Sequence, residues 1–245
     1  MARIFITGSA DGLGQLAATQ LVSEGHQVVL HARNKQRGED AMAKTPGAET
    51  VVTGDLSDIA ETKQLAEAVN KLGGFDAVIH NAGVYRASGQ EIVAVNTLAP
   101  YILTSLIQPP KRLVYMSSGN QSWGHANLKQ LESDFNSISY SDSKLHDLML
   151  AKAVARLWPN VYANAVDPGW VPTKMGGAGA PDDLKKGHQT QAWLATSTEA
   201  EALVSGYYFY HKKIQQHNPE ANDIAAQDKF LEICERLTGV RFPGI

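Results

Sequence analysis

Tyr140-Ser141-Asp142-Ser143-Lys144 sets a phenol and an ammonium four residues apart. On a helix that spacing puts both side chains on one face. A free tyrosine titrates at about pH 10, and a neighbouring ammonium favours the phenolate and lowers that value. A phenol tuned in this way can give a proton to a carbonyl oxygen as hydride arrives at the carbon, or take one from an alcohol in the reverse direction. The same spacing also describes an ordinary surface pair, so the rest of the chain has to supply the hydride donor's site.

That site is suggested by Thr7-Gly8-Ser9-Ala10-Asp11-Gly12-Leu13-Gly14, which follows a strand-like run and opens a helical pattern. Gly8 permits a tight turn, Gly12 lets backbone approach a pyrophosphate, and Gly14 permits close packing behind it. The helix start presents free N–H groups and a partial positive charge to phosphate. Ser9, Asp11 and Leu13 belong to the same loop and are expected to line the cofactor with the glycines. Asp55, followed by Leu56, ends a strand where a carboxylate can accept from an adenine amino group. Asn81-Ala82-Gly83 follows the next strand, and such small residues leave room for a ribose. Arg33 stands 19 residues after Gly14, where an NAD-binding chain usually has Asp or Glu, and no acid follows before Glu39. A guanidinium grips a 2′-phosphate with two prongs. Asp11 argues the other way through repulsion, and the balance favours NADP(H) over NAD(H).

Six short runs read as strands: Arg3–Thr7, Gln27–His31, Thr50–Thr53, Ala77–His80, Arg112–Met116 and Val161–Val166. Between them lie helical patterns at Leu13–Ser23, Arg37–Lys44, Ile59–Leu72, Ile102–Ile107 and Ser143–Leu157. Strand and helix alternate without a linker, which predicts one α/β domain over 1–245, doubly wound around a mostly parallel sheet. After residue 170 the pattern loosens. Lys174–Gly187, rich in Gly, Pro and Asp, reads as a mobile loop opening a substrate lid that reaches residue 198, followed by a last strand at Tyr207–Tyr210 and a helix around Asp223–Leu237.

The 245 residues are 43% hydrophobic and 19% charged, the composition of a folded globular chain rather than a disordered one. Lys+Arg 22 against Asp+Glu 25 gives −3, so no basic footprint for nucleic acid or anionic lipid is present. The longest uncharged stretch, Ile92 to Pro110, is too polar for a membrane span, and the N-terminal apolar run is too short for a signal peptide. The single cysteine, Cys234, rules out an intramolecular disulfide and fits a reducing compartment. A cytoplasmic location is the resulting expectation. No histidine has metal-ligand spacing, and the nucleophile elbow and phosphate-loop motifs of hydrolases and nucleotide triphosphatases are missing.

Taken in order, TGSADGLG (7–14), GDL (54–56), NAG (81–83), VN (95–96), MSS (116–118), YSDSK (140–144) and DPGWVPT (167–173) resemble the motifs of the short-chain dehydrogenase/reductase family. The resemblance implies a Rossmann-type sheet of about seven strands and catalysis by Asn96, Ser118, Tyr140 and Lys144. Asn96 would hold a relay water, Ser118 would bond the substrate oxygen, Tyr140 would be the acid/base, and Lys144 would bind the nicotinamide ribose. Pro168, Gly169, Val171 and Thr173 match the segment that embraces the nicotinamide. A small carbonyl/alcohol substrate is implied, as is a homodimer or homotetramer built on the helix carrying Tyr140 and Lys144.

Several features depart from the family pattern. Ser118 and Tyr140 are 22 residues apart, so 119–139 is an insertion expected either to cover the substrate or to cover the oligomer face. His80 stands where Asn is common, and Asp167 where His or Asn is frequent. The YSDSKL start and the tail are similar to the retinol-dehydrogenase-like branch, without its usual membrane anchor. The alternative function is a non-catalytic dinucleotide-binding sensor or scaffold, which typically lacks the Tyr or Lys retained here. An epimerase or dehydratase usually needs a larger C-terminal substrate domain.

Overall fold

The computed structural model describes residues 1–244. In chain order the elements are β1 (Arg3–Ile6), α1 (Gly12–Ser23), β2 (Gln27–Ala32), α2 (Lys35–Lys44), β3 (Thr50–Thr53), α3 (Ile59–Lys71), β4 (Ala77–His80), α4 (Gly89–Ile92), α5 (Ala99–Leu106), β5 (Arg112–Met116), α6 (Leu128–Ser133), α7 (Tyr140–Leu157), β6 (Tyr162–Asp167), α8 (Leu184–Thr196), β7 (Tyr208–Tyr210), β8 (Lys213–Ile214) and α9 (Ile224–Thr238). A π-helical turn, Val93–Leu98, joins α4 to α5. The sheet order is β3-β2-β1-β4-β5-β6-β7-β8, parallel except for β8, which runs antiparallel to β7. The sheet thus has one strand more than the sequence suggests, because the chain turns back at His211 and Lys212, both at positive φ, and adds a two-residue strand.

Side chains alternate across the sheet with period two. Phe5 joins the apolar layer formed with α3, α5, α7 and α9, while its neighbours Ile4 and Ile6 face the layer formed with α1 and α8. Both faces are therefore covered, as a parallel sheet requires. Strand order reverses between β1 and β4, and the crevice at the carboxyl ends of those strands is where such sheets bind ligands.

The helix carrying Tyr140 begins three residues earlier than its apolar periodicity indicates. Ser139 Oγ accepts from Asp142 N–H, and Asp142 Oδ2 accepts from Ser139 N–H, a reciprocal cap that fixes the first turn at Tyr140. The outer side of α7 is covered by α9, whose Phe230 ring lies 5.2 Å from His146. The 119–139 segment, containing α6, packs on α9 and is tied to the segment before it: Ala126 N–H donates to Glu220 and Asn218 Nδ2 donates to Gly124 O. The insertion is built mainly as a cover for α7 and α9, with only Gly119 and Asn120 reaching the second of the two cavities described below. The loop expected over Lys174–Gly187 ends at Asp183, which caps α8, so Gly187 is helical. Among the described residues no helix is long and apolar enough to cross a membrane.

Candidate active site

Two adjoining cavities of about 510 and 520 Å³ open at the carboxyl edge of the sheet. The first is walled by the loop after β1 (Gly8, Asp11, Gly12, Leu13), Arg33 after β2, Asp55 and Leu56 after β3, and Asn81, Ala82 and Gly83 after β4. The second is walled by Tyr85, Arg86, Ser118, Asp167, Gly169, Trp170 and Val171, among others. Tyr140 belongs to both walls, and so do Pro168 and Thr173. The phenol-bearing residue therefore stands between two spaces, one lined by the glycine loop and the other by the segment after β6.

Lys144 lies one helical turn beyond Tyr140, with Nζ 5.6 Å from the phenol ring centroid. The ammonium is buried and donates to Met116 O and to Asp147 Oδ2, both at 2.8 Å. Burial works against its charge, but Asp147, with Tyr140 adding, outweighs that and holds the Lys144 pKa above its ordinary value. Gly83 flanks the same atom: a Cβ there would come within 3.5 Å of Nζ, so its absence keeps the approach to the ammonium open. The ring of Tyr85 meets Tyr140 edge-on at 4.8 Å.

Ser118 is partly exposed on the wall of the second cavity, and its Oγ accepts from Asn120 N–H at 3.2 Å. The preceding Ser117 is buried and donates to Lys144 O, so the two serines have separate tasks. Asn96 sits in the π-helical turn, fully buried. Its amide clamps the chain after β4: Oδ1 accepts from Val84 N–H, and Nδ2 donates to Val84 O and Ser143 Oγ. The side chain thus stiffens the Gly83 segment, and Asn96 lines neither cavity. Asp167 orders the turn into Pro168-Gly169 by accepting from Gly169 N–H, and its other oxygen accepts from Tyr208 OH.

The glycine loop is held from behind. Ser9 faces inward, donating to Ile6 O and accepting from His31 N–H, so its side chain is off the cavity wall. Gly14 is also behind the wall, where a Cβ would lie 2.3 Å from Asn81 Nδ2 and 2.6 Å from Gly8 O. Asn81 pins the same loop by donating to Thr7 O. His31 does so from the neighbouring strand: Gly8 N–H donates to Nδ1, and Nε2 lies 2.9 Å from Gly54 O, the arrangement of a neutral imidazole with its proton on Nε2. Burial lowers its pKa to about 4. The sequence offered no reason to assign His31 this task.

Two further residues escaped the sequence reading. Arg37, in the first turn of α2, and Lys174, in the loop after β6, both donate to Asp11 Oδ2, Arg37 at 3.3 Å. Lys174 is the largest cause of an Asp11 pKa lowered to about 2. The carboxylate that would repel a phosphate is thus matched by two cations, and Arg33 stands on the same wall. The residues present fit a dinucleotide: an open glycine loop at a helix start, cations around Asp11, and an ammonium beside the side-chain-free Gly83. Gly169 and Val171 line the second cavity rather than the first, and Pro168 and Thr173 line both.

A family model described as short chain dehydrogenase matches residues 2–183. An uncharacterized oxidoreductase of Emericella nidulans is 47% identical over an alignment covering 100% of both chains. Retinol dehydrogenase 14 of Homo sapiens is 29% identical, the alignment covering 97% of this chain and 86% of that one. A crystal structure of a protein from Mycobacterium paratuberculosis shares the fold with a TM-score of 0.83 at 24% identity, over 99% of this chain and 95% of that one.

Proposed function

The chain belongs to the short-chain dehydrogenase family, and on that premise we propose that it is an NADP(H)-dependent oxidoreductase interconverting a ketone or aldehyde and an alcohol. The observation that carries this reading is the position of Tyr140 in the wall shared by both cavities, with the Lys144 ammonium beneath it. The nicotinamide dinucleotide, when bound, supplies or accepts the hydride. The rest of the chemistry falls to side chains. Tyr140 gives its phenolic proton to the carbonyl oxygen, or takes the alcohol proton in the oxidation direction. Ser118, on the substrate-side wall, donates a hydrogen bond to the same oxygen, where negative charge develops. Lys144 favours the phenolate electrostatically and has its open side toward the cofactor cavity through Gly83. The mixed polar and aromatic wall of Tyr85, Arg86 and Trp170 orients the organic part of the substrate.

NADP(H) is preferred because Arg33, Arg37 and Lys174 bring three cations to the wall that also holds Asp11 and Asp55. A phosphate entering there meets Arg33 and can draw Arg37 away from Asp11. The reading is tested by NADPH oxidation against a panel of aldehydes, ketones and quinones, with wild type and Tyr140→Phe in parallel. Turnover of one or more carbonyls by wild type, lost in Tyr140→Phe, is expected. Equal turnover by both proteins removes Tyr140 from the chemistry.

A further inference from the structure

Asp147 follows Lys144 by three residues on α7, one helical turn further along the same face. Its side chain is only 3% exposed and that of Lys144 5%. The 2.8 Å bond from Lys144 Nζ is the side-chain hydrogen bond that Asp147 makes among the described residues. A buried charge of either sign is costly unless paired, so each residue lowers the cost of the other's charge where it lies, and Met116 O gives the ammonium a second partner. The pair also sits within reach of the phenol assigned above: Nζ is 5.6 Å from the Tyr140 ring centroid. Two of the three ammonium donors are used by Asp147 and by Met116 O, which leaves one for the open side by Gly83.

We propose that Asp147 is a positioning residue for this active site: it fixes Lys144 from behind and cancels part of its charge, and so sets the pH at which Tyr140 gives up its proton. The proposal rests on the acid/base reading of Tyr140. Its logic is electrostatic. A lone ammonium favours the phenolate strongly, whereas an ammonium with a bonded carboxylate presents a dipole whose field at the phenol is weaker. The carboxylate therefore trades some phenolate stabilisation for an ammonium held in one place.

The groups that share this region leave few competing charges. Tyr115 on β5, stacked at 4.8 Å on His80 of β4, is buried, and burial raises the tyrosine and lowers the histidine to about 3, so both are neutral at working pH. Tyr208 on β7 is likewise raised by burial and by Asp167, and stays neutral. His146 on α7 is lowered by burial, and Asp142 is engaged in the cap with Ser139 and in accepting His125 N–H. Arg86, whose guanidinium lies 5.9 Å from the Tyr85 ring centroid, and Asp167 are the other charged side chains on the substrate-side wall near Tyr140, with Asp182 further along it. On the other wall, shared by Tyr140 and Lys144, stand the carboxylates of Asp11, Asp55 and Glu91. None of these groups bonds to Lys144 Nζ, and Asp147 is its ion-pair partner.

The test is a near-ultraviolet difference titration of phenolate in the NADP⁺-saturated protein, which needs no knowledge of the substrate. Subtracting the Tyr140→Phe titration isolates the Tyr140 transition from those of the other tyrosines. Asp147→Asn is expected to move that transition to lower pH by roughly half a unit or more. In a Lys144→Ala background the same substitution is expected to leave it in place, because Asp147 acts through the lysine. Should Asp147→Asn not fold, Asp147→Ser, which leaves room for water beside Nζ, is read in the same way. A transition that stays put or moves upward in the single variant overturns the proposal, and so does an undiminished shift in the Lys144→Ala background. If Tyr140→Phe removes no transition, the acid/base reading itself fails and this inference falls with it, an outcome distinct from an immobile Tyr140 transition.

Discussion

Acidification should unfasten the glycine loop through His31, and the size of the effect follows from its burial. The imidazole accepts from Gly8 N–H through Nδ1, so the folded protein requires that nitrogen unprotonated. Its folded pKa is about 4 against an ordinary 6.5. Between those values the unfolded chain binds a proton that the folded chain refuses, so stability is full above about pH 6.5 and is lost as the pH falls toward 4. At pH 5 the deficit is about 1.5 pH units, or about 2 kcal/mol at 1.36 kcal/mol per unit, and it stops growing below pH 4. Urea unfolding at pH 7 and pH 5 measures it, with His31→Gln as the comparison. Buried His80 and the carboxylates contribute to the acid sensitivity of both proteins, and subtraction removes them. Wild type should lose about 2 kcal/mol more than the variant between the two pH values. Equal losses in the two proteins would refute the argument that a neutral His31 is built into the folded state.

Arg33→Ala and Arg37→Ala should each weaken NADPH binding by about 1–3 kcal/mol with little change for NADH, as read by fluorescence titration of both nucleotides; equal weakening for both nucleotides would show that the cations do not meet the 2′-phosphate. Tyr140→Phe should lower kcat by at least about 10²-fold while leaving NADPH affinity nearly intact, Lys144→Ala should damage both, and Ser118→Ala should cost about 1–3 kcal/mol in kcat/KM. Hydrogen exchange in 174–183 should slow when NADPH and a substrate analogue are bound, because Lys174 and Thr173 belong to the cofactor wall; unchanged exchange argues against a closing loop. Light scattering at micromolar concentration should give the 26.5 kDa of one chain, since α9 covers the outer side of α7, and a dimer broken by substitutions on α7 would contradict this.

The strands Thr50–Thr53, Ala77–His80 and Arg112–Met116 were legible to the residue because each is a short apolar run bounded by turn-forming or polar residues. Other features left weaker marks. Strand β8 is two residues long and has no periodicity to read. Gly187 was drawn into the preceding loop by composition, although Asp183 starts a helix in which Gly187 is buried against Val171 and Leu13. The cluster of Asp11, Arg37 and Lys174 joins residues far apart in the chain, and only the fold brings them together. Asp147 did leave a local signal, an acid three residues beyond a lysine on one helix, but its meaning depends on burial, which no spacing reveals. Asn96 was picked out by its motif, and only coordinates could show that its amide is spent on Val84 and Ser143.

The hairpin that returns from β7 has a consequence for how the molecule behaves in a crowd. A parallel sheet ending at β7 would expose a row of unpaired N–H and C=O groups, an open template for a strand from another chain. Here the chain supplies that strand itself, turning through two residues in left-handed conformation, His211 and Lys212, which are tolerated there because a two-residue hairpin needs positive φ at both positions. What remains outermost is a two-residue strip, the exposed Lys213 and Ile214, too short to template a partner strand. Growth of the sheet from this side is disfavoured, so lengthening or neutralising the strip, rather than disturbing the core, is the change that would open this edge to pairing with another chain.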